Sequence, residues 1–63
     1  MIKVNRFNGE EFVINADLIK TLEATPDTII TLITGDKFVV KNSIDEIIER
    51  AIKYHRLIRA FSF

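Results

Sequence analysis

Residues 28–34, with the sequence TIITLIT, constrain the fold more than any other stretch of this chain. β-Branched side chains fill almost every position, and such side chains favour the extended backbone of a β-strand. Apolar residues fall on both faces, with Ile30 and Leu32 on one face and Ile29 and Ile33 on the other. The stretch therefore predicts a strand at the centre of a sheet, or a strand that turns one apolar face toward a partner.

Two hairpin turns are predicted, one near the N-terminus and one directly after this strand. Asn8 and Gly9 separate the alternating stretches MIKVNRF and EEFVIN, and Asn-Gly in that position is the strongest short hairpin signal because both residues tolerate positive φ. Gly35 and Asp36 separate TIITLIT from KFVVK in the same way. The two hairpins resemble each other, RFNGEEFVI and LITGDKFVV, as hairpins of this size commonly do.

The segment between the hairpins predicts a turn, a short strand and a corner. Asn15 is placed to cap a single helical turn through Leu18 and Ile19. The stretch KTLEAT follows as a short bridging strand, because it is too short for a stable isolated helix. Pro26 and Asp27 then form the corner, since proline fixes φ and aspartate can hydrogen-bond its own backbone.

A C-terminal helix is predicted with a clear start and two apolar lines. Ser43 and Glu46 form a capping box at its N-terminus. The first line recurs at helical spacing and is expected to lie on the sheet. A second line beside it has more apolar surface than a domain of this size can bury, and we expect it to contact a partner or a second copy. The first line comprises Ile44, Ile47, Ile48, Ala51, Ile52, His55 and Ile58, and the second comprises Tyr54, Leu57 and Phe61, with Phe63 at the chain end.

Together these elements predict an α+β fold, in which a small antiparallel sheet of two β-hairpins and a bridging strand packs against one C-terminal helix. The chain is expected to be a single domain, 1–63, with a β-rich part over 1–41 and the helix over 43–60. A domain of 63 residues is marginally stable alone, and without cysteine it cannot use disulfides. We therefore expect a homo-oligomer, most simply a two-fold dimer held by Leu57, Phe61 and the neighbouring helix face or by an open sheet edge.

The residue types argue against catalysis. His55 is the only histidine, it lies on the apolar line, and the sequence places no nucleophile beside it. There is no cysteine, no phosphate-binding glycine loop and no metal-ligand spacing among the carboxylates. The sequence predicts no enzyme, no catalytic residue, no metal site and no cofactor.

Charge and hydropathy indicate a cytoplasmic protein. Nine basic and nine acidic residues cancel, which argues against nucleic acid as the partner. No apolar stretch approaches the ~20 residues of a membrane span, and the N-terminus lacks the pattern of a signal peptide. One alternative stays open: the basic helix end with Lys53, Arg56 and Arg59 suits a small nucleic-acid-binding regulator.

Residues 2–54 resemble the FlbD-type flagellar proteins, the family of the swarming motility protein SwrD. The resemblance rests on Arg6, Asn8-Gly9 and Phe12, then NADLI, Glu23, PDT, ITL, Gly35, Lys37, Val40 and Ser43 before an acidic helix. It implies a non-enzymatic cytoplasmic protein, peripheral at the flagellar base, that supports swarming motility and motor power by contacting motor or stator components. The tail HRLIRAFSF lies outside the resemblance. No family site residues carry over, but Arg6, Asp17 and Glu23 have no evident structural role, and we expect them on a partner surface.

Overall fold

The computed structural model describes residues 1–61. Five strands are followed by one helix, and the predicted α+β class is confirmed. The elements are β1 (Ile2–Asn5), β2 (Glu11–Ile14), β3 (Ile19–Ala24), β4 (Thr28–Leu32), β5 (Lys37–Val40) and α1 (Ile44–Phe61).

The first hairpin, β1–β2, forms a two-stranded antiparallel sheet. Ile2 pairs with Ile14 and Val4 pairs with Phe12, so these four apolar side chains share the inner face, whereas Val13 is exposed on the other. Gly9 in the turn has φ +91°, a value that glycine adopts without the steric cost of a Cβ. The predicted hairpin at Asn8-Gly9 is therefore confirmed.

The remaining strands form a second antiparallel sheet in the order β3–β4–β5. Strand β4 lies at its centre, as its β-branched sequence predicted, and Ile30 and Leu32 point inward. On the outer face Ile29 is half-buried, whereas Ile33, just after the strand, is 62% exposed. The bridging stretch is a true strand of this sheet, and the strands are thus divided between two sheets.

One short turn connects the two sheets, and a second connects β3 to β4 within the three-stranded sheet. Residues Ala16–Leu18 form one 3₁₀ turn, and the side chain of Asn15 caps it by accepting a hydrogen bond from the backbone N–H of Asp17 at 3.0 Å. The corner after β3 contains a cis Thr25–Pro26 peptide bond. Both turns lie where the turn-forming residues predicted them.

The core lies between the inner faces of the two sheets and one side of the helix. Phe12 and Phe38, which occupy equivalent positions in the two hairpins, pack with ring centroids 5.5 Å apart at this core's edge. The buried apolar residues are Ile2, Val4, Ile14, Ala16, Ile30, Leu32, Val40 and Ile47.

Helix α1 starts at the predicted capping box. The Ser43 hydroxyl accepts from the backbone N–H of Glu46 at 3.1 Å, and the Glu46 carboxylate accepts from the backbone N–H of Ser43 at 3.4 Å. Two i,i+4 ion pairs also form along the helix, with Arg50–Glu46 at 3.7 Å and Lys53–Glu49 at 4.0 Å. The capping box fixes where the helix begins.

The prediction for the buried side of the helix is wrong in part. Ile47 and Ala51 pack on the core as expected, but Tyr54 of the second line packs there too. Ile48, Ile52 and Ile58 of the first line are instead 45%, 47% and 41% exposed, and His55 is also exposed. A four-residue strand is about 13 Å long and an 18-residue helix about 27 Å. The helix therefore extends past the strands it contacts, and Ile58 is exposed near its C-terminal end. Ile48 and Ile52 are exposed because they lie on a side of the helix that the sheets do not cover.

Candidate partner-binding surface

An open cleft runs between helix α1 and strand β1, on the side of the helix that carries Tyr54 and Leu57. Its volume is about 370 Å³. Leu57 is 62% exposed and Met1 is 59% exposed, whereas Tyr54 is half-buried against the core. We call it the helix–strand cleft. It is lined by Met1, Ile2, Lys3, Asn5, Glu11, Arg50, Lys53, Tyr54 and Leu57.

The charged lining of the helix–strand cleft is mainly basic. Lys3, Arg50 and Lys53 face it, against the single carboxylate of Glu11. The Lys3 ammonium lies 3.8 Å from the Glu11 carboxylate, an exposed pair that contributes little stability. Basic groups around apolar side chains favour a partner segment whose apolar residues are flanked by carboxylates.

Arg50 fixes the geometry of the cleft by joining the helix to strand β1. Its guanidinium donates to the backbone carbonyl of Lys3 at 2.6 Å. The backbone N–H and carbonyl of Asn5 bond to Asn42 and Lys41, and not to β2. In a strand, the backbone groups of residues two positions apart point in the same direction. The Lys3 carbonyl therefore also points away from β2, and Arg50 satisfies it.

A second cleft, of about 380 Å³, lies next to the first between the Asn8-Gly9 turn and the start of the helix. Its polar groups already bond to one another. Asn42 bonds to Asn5, and Arg50 lies 3.7 Å from Glu46. This cleft is therefore a seam that holds the structure together, whereas the helix–strand cleft carries the exposed side chains of Leu57 and Met1. The seam is lined by Asn5, Gly9, Lys41, Asn42, Glu46 and Arg50.

One carboxylate at this seam has a shifted pKa. The backbone N–H of Ser43 donates to Glu46 and is the main cause that lowers its pKa. The side chains of Asn42 and Ser43 and the charge of Arg50 act in the same direction. Glu46 is thus held in its ionised form as the acceptor of the capping box.

Arg6, expected on a partner surface, has a structural contact that the sequence did not reveal. Its guanidinium carbon lies 4.3 Å from the centroid of the Phe12 ring, and its Nε lies 3.7 Å from the Glu10 carboxylate. A guanidinium stacked on an aromatic ring is a cation–π contact. Arg6 therefore covers the rim of the core, and its role in partner binding stays a prediction.

Asp17 and Glu23 lie on other elements, and neither lines the helix–strand cleft. Asp17, in the 3₁₀ turn, has its carboxylate 3.7 Å from Nε2 of His55, so it joins that turn to the helix when the histidine is protonated. Glu23 is exposed on β3, paired in register with Ile29. The structure does not bring Arg6, Asp17 and Glu23 into one site.

Of the four apolar candidates, Tyr54 and Leu57 are brought together in the helix–strand cleft. Phe61 ends helix α1, but its side chain lies outside the described part of the chain, as does all of Phe63. Sequence reasoning missed Met1, Lys3 and Arg50. A signal for Arg50 was present, because positions 50, 54 and 57 share one side of a helix.

Metal binding and membrane insertion find no support in residues 1–61. No three His, Cys, Asp or Glu side chains there form a group that could hold a metal ion. Within the same residues, no helix is both long enough and apolar enough to cross a membrane.

A family model for flagellar and swarming motility proteins, FlbD, matches residues 1–59. The chain belongs to the FlbD family. The resemblance predicted from the sequence is confirmed, and the match extends past residue 54 to include Leu57 and most of the tail. Every residue that lines the helix–strand cleft lies inside the matched range. No curated protein and no solved structure matches the chain.

Proposed function

We propose that this FlbD-family protein is a non-enzymatic accessory protein of the bacterial flagellum. It supports swarming motility and motor power by docking onto another flagellar protein, with motor or stator components as the candidate partners. It acts in the cytoplasm, at the periphery of the flagellar base. Membership of a flagellar and swarming motility family supports the setting of this proposal.

The observation that carries the docking mechanism is the apolar, basic-rimmed helix–strand cleft. Leu57 and Met1 are each about 60% exposed there, although the domain has few apolar side chains to spare for its core. Large exposed apolar groups with a polar rim are typical of protein–protein contacts. Lys3, Arg50 and Lys53 add selectivity for a partner segment that carries carboxylates.

The geometry supports docking in preference to turnover. His55 and Asp17 are both more than half exposed, and neither lines the helix–strand cleft or the seam beside it. General acid–base groups act within hydrogen-bond reach of a bound substrate. The exposed His55–Asp17 pair lines neither cleft and so has no cavity that would hold a substrate beside it. Of the ion pairs near the helix–strand cleft, Lys3–Glu11 joins β1 to β2, whereas Arg50–Glu46 and Lys53–Glu49 lie within helix α1.

Gene replacement in the bacterial host tests the proposal. Deletion of the gene is expected to reduce swarming and the torque of single motors, and the wild-type gene to restore both. A variant with Leu57→Ser and Lys53→Glu is expected to fail, because it removes the apolar contact and reverses the rim charge. The matched control is Ile33→Ser, since Ile33 is also 62% exposed but lies just after β4.

Three results would contradict parts of this proposal. Unchanged swimming, swarming and torque after deletion would remove the motor role. Full restoration by the cleft variant, expressed at wild-type level, would remove the cleft as the docking site. Binding of the purified protein to RNA or DNA with a steep loss of affinity in salt would favour the alternative of a nucleic-acid-binding regulator.

A further inference from the structure

The exposed side of helix α1 carries charged and apolar residues in a symmetric order. At 100° per residue, five of these positions fall within an arc of about 80°. Ile48 and Ile52 are 45% and 47% exposed at its middle, where the sequence predicted burial. We call this the outer helix face. It comprises Asp45, Ile48, Ile52, Arg56 and Arg59.

The charges on the outer helix face are opposite at its two ends. Asp45 precedes Ile52 by seven residues and Arg59 follows Ile52 by seven; Ile48 and Arg56 lie four residues to either side. Within residues 1–61, neither Asp45 nor Arg59 lies in an ion pair with another side chain. The charges at the two ends are therefore complementary when a second copy runs in the opposite direction, and Ile48 then meets the aliphatic part of Arg56 of the second copy.

We propose that two copies of the chain pair through the outer helix face as an antiparallel, two-fold dimer centred on Ile52. The symmetry places Ile52 against Ile52 of the second copy and each Asp45 against Arg59 of the second copy. A two-fold contact of this kind forms both ion pairs at once. Parallel pairing would place Asp45 against Asp45 and Arg59 against Arg59, which like-charge repulsion disfavours.

This assembly goes beyond the proposed flagellar role and does not depend on it. Ile52 and Leu57 point about 140° apart around the helix, so the dimer leaves the helix–strand cleft open for another protein. The dimer also covers Ile48 and Ile52, which a 63-residue domain otherwise leaves in water. The self-association that the sequence placed on Leu57 and Phe61 is assigned here to the other flank of the helix.

Cysteine cross-linking provides a direct test, because the chain contains no cysteine of its own. The Ile52→Cys variant puts one thiol beside the two-fold axis, where two thiols can meet at disulfide distance. The control is Val39→Cys, since Val39 is also 47% exposed but lies on β5. Under mild oxidation at micromolar concentration, Ile52→Cys is expected to become mostly disulfide-linked dimer while Val39→Cys stays mostly monomeric. Equal rates of disulfide-linked dimer formation in the two variants would overturn the proposal.

A charge swap tests the antiparallel direction. Asp45→Arg alone and Arg59→Asp alone should each raise the dissociation constant roughly tenfold, because each change turns two attractive contacts into repulsive ones. The double variant is expected to return close to the wild-type value. Along one helix the two positions are about 21 Å apart, so recovery cannot arise within a single chain. Sedimentation equilibrium gives the constants, and circular dichroism checks that each variant keeps its helix.

Two results of this second test would overturn the proposal as well. One is a wild-type protein that remains monomeric over the whole micromolar range. The other is a dimer that neither single variant weakens, which would place the contact elsewhere on the chain. Since both tests use purified protein, their failure leaves the motility experiments on the helix–strand cleft unaffected.

Discussion

Asn42 accepts a hydrogen bond on its side-chain oxygen from the backbone N–H of Asn5, across 2.7 Å. The side-chain amide of Asn42 donates a hydrogen bond to the side-chain oxygen of Asn5 at 3.3 Å, and the backbone N–H of Lys41 donates to the Asn5 carbonyl at 2.7 Å. Asn42 is 5% exposed, directly before the helix cap. These contacts join the end of β1 to the end of β5, and so connect the two sheets at the point where the helix begins.

Replacing Asn42 with alanine should destabilise the domain. The change leaves the backbone N–H of Asn5 without its acceptor at a partly buried position, which costs about 1–3 kcal/mol. Urea unfolding at low protein concentration measures the loss. Asn8→Ala is the control, because the Asn8 side chain also accepts from a backbone N–H, that of Glu10, but in an exposed turn. Equal losses in the two variants would contradict this role for Asn42.

The capping box should make stability depend on pH through Glu46. Its pKa in the folded protein lies below the ordinary glutamate value, chiefly because the Ser43 backbone N–H donates to it. A lowered pKa adds stability above the pKa of the unfolded chain, and this contribution is lost as pH falls through the folded pKa. Wild type should therefore exceed Glu46→Gln in stability near neutral pH, and the two should converge in acid.

Urea unfolding of wild type and of Glu46→Gln, from neutral to acid pH, measures the difference in their free energy of unfolding. Glutamine at position 46 can still accept from the Ser43 N–H, so it removes the charge and keeps the shape of the cap. A gap in stability that stays constant down to strongly acid pH would show that the charge of Glu46 does not contribute.

Gly9 should tolerate asparagine better than alanine. Its φ of +91° is costly for a residue with a Cβ, by about 1–2 kcal/mol, although open space surrounds the position where the Cβ would lie. Asparagine accepts positive φ more readily because its side chain bonds locally to the backbone. The midpoint temperature of thermal unfolding should be highest for wild type, lower for Gly9→Asn and lowest for Gly9→Ala. Gly35, with φ +95°, should show the same order.

Arg6 should stabilise the domain through its contact with Phe12. Removing the guanidinium with Arg6→Ala loses a cation–π contact of about 0.5–1 kcal/mol. In a double-mutant cycle, Arg6→Ala should cost less when Phe12 is already leucine. Additive losses in the cycle would exclude the coupling. An Arg6→Ala protein that is stable but fails in swarming would instead support the predicted partner surface.

The turns of this protein could be read from the sequence because each depends on local chemistry. Asn8-Gly9, Asn15, Pro26 and Gly35-Asp36 all occur where the backbone changes direction. Strand β4 was also predictable, since a β-branched stretch with apolar residues on both faces is typical of a central strand. The equivalence of the two hairpins was visible in part: each places a phenylalanine three residues after its glycine, and the two rings meet.

The buried side of the helix and the clefts could not be read in this way. Helical spacing showed that Ile48, Ile52 and Tyr54 were apolar, but burial depends on how far the sheets extend beneath the helix. The i,i+4 spacing of Glu46 and Arg50 indicates an ion pair, but the bond of Arg50 to Lys3 joins residues 47 positions apart in the chain. Contacts between distant residues leave no periodic signal in the sequence.

The sequence by itself therefore determined the elements, their order, the helix start and the family of this protein, because caps, turns and strand periodicity act over a few residues. The tertiary structure alone decided how the strands divide between two sheets, which apolar line of the helix is buried and which surfaces stay open. The physical reason is that a small core can cover only one narrow line of apolar side chains along a long helix. The apolar residues left over on its two flanks form the helix–strand cleft and the outer helix face.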